Sequence, residues 1–190
     1  MKTNLLKYEN SKLKQQFIFN LPVSMEVCGR ECPGCYALKA QKRFPKTVLP
    51  YREARLEASK QEDFVPNIIA ELTTSRRSAK SIRIHESGEF YSQEYIDKWA
   101  TIAKAVPTFT FYAFTKRMKD FDFTAIKALP NVIIIDSLMS GTLNYAPLNK
   151  LDPSRPICPA TMDDTTVCGV TCLYCQTKQA QTDGIQFVKH

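Results

Sequence analysis

Seven cysteines constrain this chain more tightly than any other feature, because they gather at its two ends. Cys28, Cys32 and Cys35 stand near the start, Cys158, Cys168, Cys172 and Cys175 near the finish, and the stretch between Cys35 and Cys158 has none. An odd total in tight clusters is a poor disulfide framework and a good source of metal ligands. The leading MKTNLLKYENSKLKQQ lacks the apolar core of a secretory signal. No stretch approaches the ~20 apolar residues that span a bilayer. The expectation is a cytoplasmic protein with no membrane partner, where reducing conditions disfavour stable disulfides. His85 and His190 are the only histidines, so the expected ligands are thiolates.

Strand and helix signals alternate along the middle of the chain. Residues 15–23 (QQFIFNLPV) read as a first strand closed by Pro22. The YALKAQKRF run after Cys35 reads as a helix ending before Pro45, and a helical region runs from Tyr51 to about Ser75, interrupted or restarted near Pro66. SIRIH (81–85), TFTFYAF (108–114) and NVIIID (131–136) read as strands. They are separated by helices over 92–105, with Ser92 as a candidate cap, and over 121–129. Nearly unbroken apolar strands suit a sheet covered on both faces. At 190 residues and 44% apolar content, the expectation is an α/β fold with a mostly parallel sheet of about four to six strands, like a partial (β/α) barrel. Residues 1–150 form the cluster-binding domain of this reading, and 151–190 a cysteine-rich extension. From Ser137 onward Pro, Ser, Asn and Asp dominate without periodicity, and such a long loop needs something to hold it.

The two cysteine groups differ in chemistry. Cys28, Cys32 and Cys35 follow a CxxxCxxC pattern, which puts three thiolates on one loop and leaves one iron of a four-iron cluster open for a ligand. A zinc site completed by a fourth residue, or unmetallated cysteines, are the alternatives. Cys158, Cys168, Cys172 and Cys175 offer a closed shell of four sulfurs, which suits zinc and a [4Fe-4S] cluster equally.

If the sheet is parallel, the segments after its strands share one rim, where ligands of α/β sheets gather. Cys28, His85, Glu86, Thr115, Lys116, Arg117, Asp136 and Ser137 all follow strands. Lys116 and Arg117 suit a carboxylate or phosphate, and His85 suits acid–base work or iron ligation. Trp99, Tyr95 and Ile102 at helical spacing read as core. The formal net charge is +7, compatible with a polyanionic partner or with solubility alone. Lys39, Lys42, Arg43 and Lys46 form one basic run, and Arg76, Arg77 and Lys80 another.

The cysteine triad after a first strand resembles the cluster loop of the radical S-adenosylmethionine enzymes. The segment Ile84-His85-Glu86-Ser87-Gly88-Glu89-Phe90 resembles their Gly-Gly-Glu motif after the second strand. That resemblance implies a [4Fe-4S] cluster, S-adenosylmethionine as small-molecule cofactor, and contacts to it from Ser87, Gly88 and Glu89. It makes Glu89, with His85, the catalytic candidate. The aromatic that usually precedes the third cysteine is replaced by Gly34, with Tyr36 just after, and Tyr36 becomes the aromatic candidate for cofactor contact. The combination CPGCYA, RIHESGEF, FYAFTKR and a cysteine-rich tail resembles, more closely, the small phage-encoded gene-product-eighty-eight family. The competing expectation is a non-enzymatic, metal-stabilised phage protein that binds nucleic acid or a host protein through its basic surface.

Overall fold

Alternation along three apolar strands decides the architecture. A computed structural model describes residues 4–32, 34–138, 145–162 and 165–188. Pro33 of the first cysteine loop, residues 139–144 and 163–164 of the irregular stretch, and His190 lie outside the described residues. The sheet runs in the order β1 (Lys7–Tyr8), β2 (Phe17–Phe19), β3 (Ser81–Ile84), β4 (Thr110–Thr115), β5 (Val132–Asp136), with β1 antiparallel and the rest parallel. Successive side chains of a strand point to opposite faces. Ile82 and Ile84, Phe111 and Ala113, Val132 and Ile134 therefore share one core, while Tyr112, Ile133 and Ile135 belong to another.

Each parallel strand sits beside the next one in sequence, the order of one sector of a (β/α) barrel. Right-handed crossovers taken in one direction put their helices on one face. That face carries α3 (Val48–Lys60), α4 (Phe64–Thr74), α5 (Gln93–Ala105) and α6 (Thr124–Lys127), through Leu56, Phe64, Ile68, Leu72, Tyr95, Ile96, Trp99 and Ile126. Trp99 is the node of this layer, meeting Phe19 and Phe64 edge-on at centroid distances of 5.4 and 5.6 Å. Truncating such a fully buried ring to alanine costs about 3–5 kcal/mol. Ser92 caps α5, its hydroxyl accepting from the Tyr95 amide at 3.1 Å.

Several boundaries differ from the sequence reading. The first strand is three residues long, and Pro22 lies beyond it. The helical region divides at Gln61–Asp63, and Pro66 marks the restart, sitting in the first turn of α4, where the missing N–H costs nothing. The irregular C-terminal stretch contains a short parallel pair, β6 (Tyr145–Ala146) with β7 (Phe187–Val188), and a helix, α7 (Lys178–Asp183). Ala180 of α7 packs on Tyr112, Ile133 and Ile135, so the cysteine-rich extension covers the face that the crossover helices leave open. Lys178 ties it down, donating to the Val132 carbonyl at 2.7 Å.

Candidate functional site

The first cysteine group lies at the carboxyl rim of the parallel sheet. Leu21–Val23 leave β2, and a single helical turn, α1 (Met25–Cys28), is capped by the Ser24 hydroxyl on the Val27 amide at 3.2 Å. It ends on Gly29 with φ 65, where a Cβ would fall among the guanidinium atoms of Arg117. Helix α2 (Tyr36–Arg43) begins directly after Cys35. Cys28 is buried, Cys32 and Cys35 half-buried, and none is in a disulfide. Burial pushes the Cys28 thiol up, and the neighbouring charges of Glu89, Cys32 and Cys35 add to it. Cys28 thus lies within electrostatic reach of Glu89, Cys32 and Cys35.

The segment after β3 is held in place by Asn20. Its side-chain oxygen accepts from the Glu86 amide at 2.8 Å and the Ser87 amide at 3.0 Å. The Ser87 hydroxyl donates to the Leu21 carbonyl at 2.9 Å, and the Leu21 amide donates to the Ser87 carbonyl. At Gly88, φ is 90 and a Cβ would come within 2.5 Å of the Leu21 Cβ, so only glycine fits. This clasp delivers Glu89 to the rim, buried, accepting from the Thr115 hydroxyl at 2.8 Å and the Lys116 amide at 3.2 Å. Burial raises the Glu89 pKa against the opposing pull of Thr115, Lys116 and Arg117.

Arg117 pairs with Asp120 and donates to the Val27 carbonyl at 3.4 Å, fastening β4 to the cysteine helix. The Tyr36 ring stays 64% exposed while its hydroxyl donates to the Glu86 carbonyl. His85 lies one layer deeper. Its φ is 64, its Nε2 shares a 2.9 Å hydrogen bond with the Tyr95 hydroxyl, and Phe90 packs against it. Burial, with Arg83 nearby, lowers its pKa to about 3, so the imidazole is neutral at ordinary pH.

The second cysteine group is elsewhere, against the opposite face of the sheet. The Lys14 amide donates to the Cys168 carbonyl at 3.0 Å, just ahead of β2, and the Cys158 amide donates to the Gln186 carbonyl at 2.8 Å. Fully buried Gln16 accepts from the Tyr112 hydroxyl and donates to the Cys168 carbonyl at 3.4 Å. The Cys158 and Cys168 thiols act on each other, which lowers the pKa of Cys168 and raises that of Cys158. Burial pushes Cys175 up to about 12, against the pull of Arg83 and with Cys168 and Cys172 adding to it. Arg83 spans this region, its guanidinium 4.2 Å from the Phe114 ring centroid and 5.1 Å from that of Tyr112. Among the described residues no three His, Cys, Asp or Glu converge closely enough to hold one metal ion as they stand. A metal at either group requires the thiols to turn toward it.

A family model described as gene product 88 matches residues 2–167. The chain belongs to the gene product 88 family, a family of phage proteins. No curated protein and no solved structure matches it significantly. In this gene product 88 protein the matched span takes in Cys28, Cys32, Cys35 and Cys158, and stops one residue short of Cys168. The rim gathers Cys28, Cys32, Cys35, Tyr36, Ser87, Gly88, Glu89, Lys116 and Arg117, with His85 set behind them. Asn20, Gln16, Arg83 and Tyr112 escape a sequence reading. A polar residue at a strand end is the one available signal, and it marks Asn20 alone. Among the described residues no helix is long and apolar enough to cross a membrane.

Proposed function

We propose that this gene product 88 protein is an iron–sulfur protein of the radical S-adenosylmethionine kind, with a [4Fe-4S] cluster on Cys28, Cys32 and Cys35. The observation that supports this reading is the placement of Cys28, Cys32 and Cys35 on one loop at the carboxyl rim of a parallel sheet, with Glu89 within electrostatic reach of Cys28. Three soft sulfur donors on one loop suit iron–sulfur chemistry. When bound, such a cluster supplies an electron and, at the iron without a protein thiolate, a chelating position for the methionine part of the cofactor.

The chain's own residues would bind and orient. Glu89 would receive the amino group, exchanging its Thr115 and Lys116 partners for it. Lys116 and Arg117 would face a carboxylate, and the open Tyr36 ring would cover the loop. Ser87 and Gly88 would keep the segment in register through Leu21. His85 is assigned to positioning this segment, since its imidazole is neutral and bonded to Tyr95. The four C-terminal thiols offer a closed shell for zinc or a second four-iron cluster.

Anaerobic purification with metal analysis tests the reading. Stoichiometric iron, absorbance near roughly 400 nm from sulfur-to-iron charge transfer, and 5′-deoxyadenosine on adding S-adenosylmethionine and a reductant are expected. Loss of iron in a Cys28→Ala, Cys32→Ala, Cys35→Ala variant completes the test. Cluster-loaded protein that yields no 5′-deoxyadenosine refutes catalysis, and protein with neither iron nor zinc refutes the whole reading.

A further inference from the structure

The stretch from Cys32 to Arg52 contains no Asp or Glu, yet it carries Lys39, Lys42, Arg43, Lys46 and Arg52. Arg52 is buried and donates to the Ala37 carbonyl at 2.9 Å. The other four are exposed, and among the described residues none of them forms an ion pair. Elsewhere on the surface Lys60 and Lys98 are each held by glutamate at 2.9 Å. Helix α2 buries Ala37 and turns the opposite arc outward: Tyr36, Lys39 and Arg43 at i, i+3 and i+7, with Lys42 beside them. Two rings flank the cations. Tyr36 is 64% exposed and Phe44 49%, with the Arg43 guanidinium 5.4 Å from the Phe44 ring centroid. The helical rise sets the two aromatics about 12 Å apart along the axis, a span of a few nucleotides.

We propose that this face binds single-stranded nucleic acid, with the lysines and Arg43 tracking phosphates and the two rings stacking on unpaired bases. A duplex hides its base faces from such rings. An acidic polypeptide would answer the cations and leave the rings without stacking partners. The site uses neither the cysteines nor any bound metal and shares only the Tyr36 ring with the cluster reading; its test falls on Lys39, Lys42 and Phe44, so it stands or falls separately.

The test is fluorescence anisotropy of the full chain with labelled oligothymidylate, a duplex of equal length, and polyglutamate. Oligothymidylate binds most tightly, with a log–log salt slope of about −3 for four neutralised phosphates. Phe44→Ala weakens binding roughly tenfold. The Lys39→Glu, Lys42→Glu variant loses most of it, and Lys39→Arg, Lys42→Arg retains it. All these positions are exposed, and far-UV circular dichroism confirms that each variant folds. Tighter binding of duplex or polyglutamate, absence of oligothymidylate binding, or full affinity in the Glu variant overturns the proposal.

Discussion

The Tyr36 hydroxyl donates to the main-chain carbonyl of Glu86, so the helix that follows Cys35 is tied to the segment that follows β3. Removing that hydroxyl in Tyr36→Phe leaves the carbonyl to water and costs about 1 kcal/mol. In a chain of this length that lowers the melting midpoint by about 2–4 °C. Any metal held by the cysteine loop should also pass to a chelator faster. Thermal circular dichroism and a chelator competition measure the two effects.

Asn20→Ala should be worse. It deprives two main-chain donors, those of Glu86 and Ser87, of their acceptor in a partly buried clasp. Orphaning them costs about 2–3 kcal/mol in all. Urea unfolding should show a lower midpoint at unchanged slope. A shift worth under about 0.5 kcal/mol, within the range of an ordinary surface change, would contradict the clasp.

His85 gives the protein an acid limb. Its folded pKa is about 3 against an ordinary 6.5, so between these values the unfolded chain binds a proton that the folded chain refuses. Stability therefore falls as pH drops from 6.5 toward 3, by an amount on the order of 4 kcal/mol. Glu89 acts in the opposite sense. Its folded pKa lies above the ordinary 4.5, so its contribution declines as pH rises from there through its raised folded value. His85→Asn keeps a residue tolerant of φ 64 and should flatten the acid limb. Urea titrations at a series of pH values across this window decide it.

Tyr112→Phe tests how the C-terminal extension is attached. The lost hydroxyl leaves the Gln16 oxygen without its donor in a fully buried position, costing about 1–3 kcal/mol. Gln16 is also a partner of the Cys168 carbonyl, so the effect should concentrate in the cysteine-rich region. Limited proteolysis should cut after residue 160 sooner than in the native protein, while amides of β3 and β4 keep their protection.

The central strands were legible because Ile82, Ile84, Phe111, Ile133 and Ile135 sit in runs that only a doubly covered sheet can bury. Helix α5 was legible from Tyr95, Ile96, Trp99 and Ile102, and its start from Ser92. Helices α1 and α7 were not: four and six residues carry too little periodicity, and tertiary contacts to Arg117 and Tyr112 hold them. At the rim the cysteines stand out in the sequence by their spacing, and Glu89 only through the resemblance of its segment to a Gly-Gly-Glu motif. The depth of His85 did not, because burial depends on Phe90 and Tyr95 folding over it. Arg83 reads as an ordinary surface cation within a strand. Its role on the second face exists only because a segment some ninety residues later packs there.

The one-sided placement of the crossover helices has a consequence for how the chain is made. Tyr112, Ile133 and Ile135 are synthesised long before Ala180, the residue that covers them. While translation is still running, one side of a finished sheet stands bare to solvent, sticky and without a mate. Sealing waits until the segment around Ala180 has emerged and folded back, and damage to that segment leaves the greasy plane available to other nascent chains.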